Sequence, residues 1–193
     1  MSEFLEAIPS NWKYRLILSA VNRDGTPFED SISLGIDKKL SYWSQIYTFT
    51  APVNADIEAY RTAEGRLFLS VSIETEAEVP CARCLEPAAV AVKGSLRYLF
   101  SLRPNEYTED KEEGLQDGDE ELIILDSWED EIDIAPMIWE TLITSLPAAA
   151  LCSEECRGLC PQCGANLNKS DCGCKSEKGD PRFDILKTLM HDK

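Results

Sequence analysis

The stretch LCSEECRGLCPQCGANLNKSDCGC, residues 151–174, holds six of the eight cysteines in this 193-residue chain. The other two lie far upstream, at positions 81 and 84, in the sequence CARCLEP. In a reducing compartment, cysteines paired at spacings as short as CxxC, CxxxC and CxC are typical of metal ligands rather than of disulfide partners. The sequence therefore predicts metal binding, with zinc as the favoured ion.

Eight cysteines suffice for two tetrahedral sites of four thiolates each, so we expect two zinc ions per chain. The predicted ligands are Cys81, Cys84, Cys152, Cys156, Cys160, Cys163, Cys172 and Cys174. A site closed by four thiolates leaves no position for water, which indicates a structural role for the metal. An iron–sulfur cluster, or a redox-active dithiol formed by the upstream pair, is the alternative.

The spacing leaves three ways to divide the eight cysteines. The favoured one builds a local site from the last four and lets Cys152 and Cys156 reach back to Cys81 and Cys84. A second joins the upstream pair to the CxxC pair at 160 and 163, and a third places a single ion among the last six cysteines. Only the favoured division would fasten the tail to CARCLEP and close the loop of 67 residues between Cys84 and Cys152.

Two long stretches of alternating polar and apolar residues flank CARCLEP, one over residues 67–79 and one over residues 90–102. A period of two is typical of β-strands, so this pattern predicts a hairpin with Cys81 and Cys84 at its tip. Further strands are predicted at 12–18, 55–61 and 121–125, whereas residues 30–53 give no clear period. Such a hairpin needs neighbouring strands, which predicts an antiparallel sheet or a partly closed barrel.

Residues 132–146 carry apolar side chains at helical spacing, between a candidate cap at Asp133 and a stop at Pro147. A last short helix is predicted to begin at Asp180. The predicted fold class is α+β, predominantly antiparallel β, with a covering helix and a C-terminal cysteine-rich zinc-binding module. The expected parts are a β domain over 1–103, an acidic loop over 104–131, and the helix with the zinc module, packed back on the β domain, over 132–193.

Most of the net charge of −16 lies in one segment. Residues 104–133 contain fourteen acids and one base, Lys111, a net charge of −13. Such a composition favours a solvated loop that is disordered in part. The alternative interpretation is a docking surface for a basic partner.

Patterns typical of membrane spans, secretion and catalysis are not found in the sequence. No apolar run approaches the roughly 20 residues that cross a bilayer, and the N-terminal residues lack the basic and apolar regions of a signal peptide. The single histidine, His191, is third from the end, and neither paired catalytic carboxylates nor a nucleotide-binding loop is recognisable. We therefore expect a cytoplasmic protein that is not an enzyme, binds no membrane and takes no small-molecule substrate.

Several motifs, taken in order, resemble the YceD family, whose members are called large ribosomal RNA subunit accumulation proteins. The resemblance covers about residues 67–190 and is carried by CARCLEP, SLPAAALC, CRGLCPQCGANLN, CGC and DPRFDILKTL. All eight cysteines fall on the family's cysteine motifs. The resemblance implies a role in large-subunit ribosomal RNA accumulation, processing or ribosome assembly, in a bacterial or organellar cytoplasm.

The partners expected on this basis are ribosomal RNA, a basic ribosomal protein of the large subunit, or both. Direct RNA binding would use bases near the hairpin and the zinc module, with Arg83, Lys93, Arg97, Arg157 and Lys169 as the first candidates and Arg103, Lys175 and Arg182 as further ones. Asn166 and Asn168, in GANLN, are expected to cap the turn around the second knuckle. The alternative function is a protein-binding module whose acidic loop engages a basic protein without RNA contact.

Overall fold

The structure, a computed structural model, describes residues 4–5, 7–22, 24–63, 65–102, 120–128 and 130–174, with Glu120 and Glu121 as backbone only. It contains ten strands, a short 3₁₀ helix at Leu18–Ala20 and one α-helix within these ranges. The elements are β1 (Phe4–Leu5), β2 (Arg15–Ile17), β3 (Phe28–Leu34), β4 (Lys39–Tyr42), β5 (Gln45–Phe49), β6 (Val53–Arg61), β7 (Leu67–Pro80), β8 (Pro87–Leu102), β9 (Glu120–Leu125), β10 (Glu131–Asp133) and α1 (Ala135–Ser145).

The hairpin β7–β8 forms the middle of the sheet. Its register runs without interruption from Leu67 opposite Phe100 to Pro80 opposite Pro87. Alternate residues of β7, beginning with Leu67, are buried along its whole length, as the period of two requires. The predicted hairpin with CARC at its tip is therefore confirmed.

A second long hairpin lies beside β7, and its two arms are β3–β4 and β5–β6. The pairing of β3 with β6 and that of β4 with β5 have the same register, from Leu34 opposite Val53 to Leu40 opposite Tyr47. Each arm is therefore a single strand with a break in it. Both turn residues, Trp43 and Ser44, have positive φ, at 49° and 63°. This fits the type I′ geometry that connects twisted strands closely.

The strands form an open sheet and not a closed barrel. Of the two predicted architectures, the structure therefore has the sheet. β9 joins the far side of β8 in parallel, with Leu122 opposite Leu99. Parallel pairing is possible because a long connection precedes β9. β1 also pairs in parallel, with β4, and the predominantly antiparallel sheet is therefore mixed at both ends.

The strand predicted at 12–18 is shorter than expected, since only β2 is extended there. β2 pairs with β10, and Leu16 lies opposite Ile132 in a separate two-stranded sheet. α1 follows β10 directly and occupies most of the predicted helix. Ile134, and not the predicted Asp133, is the N-terminal cap residue of α1, although Asp133 Oδ1 accepts a hydrogen bond of 3.1 Å from the Ala135 amide.

α1 covers the inner face of β7 and β8. It buries Ile138, Thr141 and Leu142 against the sheet, and all three side chains are fully inaccessible to solvent. Gly94 on β8 allows the C-terminal turn of α1 to come close, because a Cβ at that position would lie 1.7 Å from Ser145 Oγ. The covering helix is thus confirmed.

Some predictions fall on residues outside the described ranges. These are the last helix from Asp180, most of the acidic loop, and the bases Arg103, Lys175 and Arg182. The division into three parts stays a prediction. Among the described helices, none has the length and apolar character needed to cross a membrane.

Candidate metal centres

The structure brings the eight predicted cysteines together in two groups of four. Cluster 1 consists of Cys81, Cys84, Cys152 and Cys156, and cluster 2 of Cys160, Cys163, Cys172 and Cys174. Within each cluster the four Sγ atoms lie within 4.8 Å of one another, so each group could hold a metal ion. This grouping coincides with the favoured of the three divisions predicted from the spacing.

The sulfur separations in cluster 1 fit a metal of the size of zinc. Ligand bonds of about 2.3 Å in a tetrahedron place the sulfurs about 3.8 Å apart. The structure has 3.7 Å between the Sγ atoms of Cys81 and Cys156, and 3.5 Å between those of Cys84 and Cys152. None of the eight cysteines forms a disulfide bond.

The knuckle that carries Cys81 and Cys84 is a tight turn at the tip of the β7–β8 hairpin. The Cys81 amide donates to the carbonyl of Glu86 (2.8 Å), and the Leu85 amide returns a bond to the carbonyl of Cys81 (2.9 Å). The Arg83 amide points at Cys81 Sγ, at 3.5 Å. These bonds orient both thiols to one side, where a metal can bind them together.

Backbone hydrogen bonds attach the tail to this knuckle. The Ala82 amide donates to the carbonyl of Ala150 (2.8 Å), and the Leu159 amide donates to the carbonyl of Arg83 (3.1 Å). The Arg83 guanidinium also donates to the carbonyl of Cys156, at 2.9 Å. Cys152 and Cys156 lie between the two attachment points, so the tail delivers them to cluster 1.

Cluster 2 is built on a second turn of the same kind. The Gly164 amide donates to the carbonyl of Cys160 (2.8 Å), as that of Leu85 does to the carbonyl of Cys81 (2.9 Å). Gly164 has φ of 71° and Leu85 has φ of 62°, so both turns need a left-handed residue at this position. Glycine adopts that conformation freely, whereas leucine does so at a cost.

Asn168 contacts cluster 1. It was predicted to cap the second knuckle, but its Nδ2 lies 3.3 Å from the Sγ of Cys156, a cluster 1 thiol. Its Oδ1 accepts from the Arg157 amide (2.7 Å), and its own amide donates to Asn166 Oδ1 (3.0 Å). The capping role thus holds for Asn166, while Asn168 supports a sulfur of the other cluster, in the manner of an outer-sphere hydrogen bond.

Neighbouring donors shift the thiol pKa values in opposite directions. Burial raises the pKa of Cys81, but amide hydrogen bonds outweigh it and lower that pKa to about 6. The amides of Cys163 and Gln162 likewise lower the pKa of Cys160 to about 6. In contrast, a hydrogen bond shared with Cys156 raises the pKa of Cys152 to about 12. Four adjacent thiolates repel one another, and a bound cation would allow all four to lose their protons.

The bases predicted to contact RNA already have partners within the protein. Lys93 pairs with Glu74 (2.7 Å), Arg157 with Asp171 (2.7 Å) and Lys169 with Glu86 (2.6 Å). Arg83 is bound to backbone carbonyls of the tail, and Arg97 also has an intramolecular interaction. The exposed ion pairs contribute little, about 0–1 kcal/mol each, so phosphates could compete for them. Direct RNA contact by these residues stays a prediction.

Gly158 lies where the tail meets the first knuckle, and we expect its replacement by alanine to weaken that contact. Its φ is +75°, and a Cβ would lie 3.1 Å from the carbonyl oxygen of Arg83. Gly25→Ala is a matched control, because Gly25 has φ of +84° and nothing within 4 Å of its added Cβ. Both variants should lose about 1 kcal/mol from the left-handed backbone, and Gly158→Ala about 1 kcal/mol more from the contact. Equal denaturation midpoints for the two variants would contradict this packing.

In a comparison with known proteins, the chain matches one protein family. The family described as Large ribosomal RNA subunit accumulation protein YceD matches residues 69–190, a range that contains both clusters. Three relatives show the range of proteins to which the chain is similar. No solved structure matches the chain.

Two of these relatives are plant proteins named Large ribosomal RNA subunit accumulation protein YCED homolog 1, chloroplastic. The one from Arabidopsis thaliana is 30% identical over 165 residues, 74% of this chain and 50% of the relative. The one from Zea mays is 31% identical over 148 residues, 64% of this chain and 49% of the relative. The chain therefore spans about half the length of these plant proteins.

The third relative is an uncharacterized protein of Mycobacterium tuberculosis. It is 34% identical over 141 residues, which are 72% of this chain and 63% of the relative. The similarity thus extends to bacterial proteins.

Proposed function

This chain belongs to the YceD family of large ribosomal RNA subunit accumulation proteins, and on that premise we propose that it supports accumulation of large-subunit ribosomal RNA. The protein would assist either the processing of that RNA or the assembly of the subunit. The observation that carries the proposal is the family match over residues 69–190. We further propose a bacterial cytoplasmic setting, which the mycobacterial relative supports.

Zinc is the ion we propose for both clusters, with all eight cysteines as ligands. Sulfur separations of 3.5 and 3.7 Å support this assignment for cluster 1, and the soft, all-thiolate donor set supports it for both clusters. Four protein ligands close the coordination sphere, so the ion would hold segments together rather than activate water. The proposed role is accordingly that of a binding factor and not of an enzyme, and the family's name describes an accumulation protein rather than a catalyst.

Deletion of the gene in its source cell tests this role. We expect the ratio of large-subunit to small-subunit ribosomal RNA to fall, and the wild-type chain to restore it. Cys156→Ser should restore it poorly, because cluster 1 is incomplete. An unchanged RNA ratio after deletion would overturn the proposed function, whatever the state of the metal sites.

A second candidate function is a protein-binding module that engages a basic ribosomal protein without touching RNA. The observation that favours it is the charge of the outer sheet face, which α1 does not cover. Within β3, β6, β7 and β8, strand register places six acids and two bases there: Glu29, Asp56, Glu58, Glu74, Glu76, Glu78, Lys93 and Arg97. An acidic face attracts basic partners and repels phosphates.

Replacing residues 104–118 by a neutral linker separates the two candidates. The sequence of this segment is strongly acidic, and the replacement leaves β9 in place. If a basic ribosomal protein is the partner, its binding should weaken and show less dependence on salt. If RNA is bound directly, binding to a large-subunit RNA fragment should strengthen, because a repulsive charge has been removed. The first result supports the protein partner and the second supports RNA contact.

A further inference from the structure

β9 is an edge strand with an open side. It pairs with β8 along Arg97–Leu102, and within the described residues no strand lies on its other side. An open edge presents a row of backbone N–H and C=O groups that can pair with another chain. Proteins usually protect such edges with charged side chains, proline or a bulge. The last four residues of β9, 122–125, are leucine and isoleucine throughout.

Two apolar side chains of β9, those of Leu122 and Ile124, lie on the face of the sheet that α1 does not cover. Leu122 is 43% exposed and Ile124 is 51% exposed. Register places Leu122 next to Leu99 and Leu99 next to Phe68, which stacks on Tyr60 with ring centroids 4.6 Å apart. An apolar strip therefore crosses four strands from β6 to the open edge, and Leu99 within it is 7% exposed.

The surroundings of this strip are acidic. β9 is acidic in sequence at both ends, with Glu120 and Glu121 at its start and Asp126 directly after it. Glu58 lies two residues from Tyr60 on the same face of β6, whereas Arg97 lies two residues from Leu99 on the same face of β8. A segment that occupies the edge must therefore be compatible with strong negative charge, which favours a basic protein over a second acidic copy or a nucleic acid.

We propose that the open edge of β9 accepts an extended, lysine- or arginine-rich segment of a partner protein as an additional strand of the sheet. Main-chain hydrogen bonds to β9 would hold the segment, and its alternate apolar side chains would pack on Leu122 and Ile124. Its basic side chains would face the surrounding acids. The proposal rests on the protein-binding version of the proposed function and deepens it by naming the site and the class of partner.

Hydrogen exchange on the full, zinc-loaded chain tests the proposal, with a synthetic peptide of alternating lysine and valine as the probe. We expect the peptide to protect the amides of residues 120–125. Ile124→Lys should weaken peptide binding by about tenfold or more, because it places a positive charge in the contact. Ile46→Lys is the matched control, since Ile46 is also an exposed isoleucine of the outer face, at 41%, but lies on β5. This control should change the affinity less than about twofold.

Three outcomes would overturn the proposal. One is protection that avoids residues 120–125, and another is an equal loss of binding in the two isoleucine variants, which would indicate attraction by charge alone. The third is protection of β9 that rises with protein concentration in the absence of peptide, which would identify a second copy of this chain as the occupant.

The cell assay keeps this proposal separate from the proposed function. If Ile124→Lys loses peptide binding yet restores the RNA ratio fully, strand addition is not how the protein acts, while the proposed function stands. If deletion of the gene leaves the RNA ratio unchanged, the proposed function fails, and the exchange experiment still decides whether β9 accepts a strand.

Discussion

Replacing Cys156 by serine will remove one metal ion per chain and detach the tail from the tip of the β7–β8 hairpin. Cys156 is buried, and its Sγ lies 3.7 Å from that of Cys81. A serine hydroxyl is a poor ligand for a soft metal, so we expect cluster 1 to lose its ion. Elemental analysis of the purified variant should give one zinc per chain where the wild type gives two.

The loss of stability should be large because cluster 1 closes a long loop. Residues 85–151, 67 in all, separate Cys84 from Cys152. A cross-link that closes a loop of this length contributes on the order of 4 kcal/mol through the entropy of the unfolded chain. We therefore expect the free energy of unfolding of the β-sheet to fall by several kcal/mol, measured by denaturant titration with excess zinc present.

Cys163→Ser is the matched control for this experiment. It should also remove one ion, from cluster 2, whose ligands span only residues 160–174. Its loops are short and local, so the sheet should keep most of its stability. If the two variants destabilise the sheet equally, or if either still holds two ions, the division of the cysteines seen in the structure is wrong.

The second large effect is expected at Gly94, where valine should displace α1 from the sheet. A Cβ at this position would lie 1.7 Å from Ser145 Oγ and 2.7 Å from Ser145 Cβ, so α1 must move to admit a side chain. Overpacking of this kind costs about 3 kcal/mol. The measurement is the denaturation midpoint, together with near-ultraviolet circular dichroism from Trp139, a partly buried residue of α1 packed against the core.

Two further variants isolate the contact at Gly94. Gly35→Val is the matched control, because a Cβ at Gly35 has nothing within 4 Å and the change should cost little. Ser145→Gly removes the atoms that a side chain at position 94 would meet. The double variant Gly94→Ala with Ser145→Gly should therefore be more stable than the sum of the two single effects predicts. Additive single effects would show that α1 does not approach β8 at this point.

Local patterns in the sequence predicted the middle of this fold well. The alternation of polar and apolar residues on either side of CARCLEP predicted β7 and β8, and the helical spacing of apolar residues predicted α1. The strands β3, β4 and β5 were not predicted. Their turn, at Trp43 and Ser44, contains neither glycine nor asparagine, so the usual signal of a type I′ turn is missing although both residues have positive φ.

The sequence pattern did not predict which distant segments pair with one another. β2 pairs with β10, so that Arg15 lies opposite Asp133, and β9 aligns in parallel with β8. A strand's period shows which of its faces is buried, but it does not show which strand will lie beside it. These partners are selected by the packing of the whole chain.

The sequence by itself determined the eight candidate ligands, because cysteine pairs at short spacing carry the metal chemistry within a few residues. Only the tertiary structure decided which pairs share a site, since that depends on hydrogen bonds such as the one from Ala82 to Ala150. It also placed Asn168 beside Cys156 and tied the candidate RNA-binding bases to partners of their own. The physical reason is distance along the chain. The spacing of cysteines is a local property of the sequence, whereas the association of remote segments depends on backbone contacts that exist only in the folded protein.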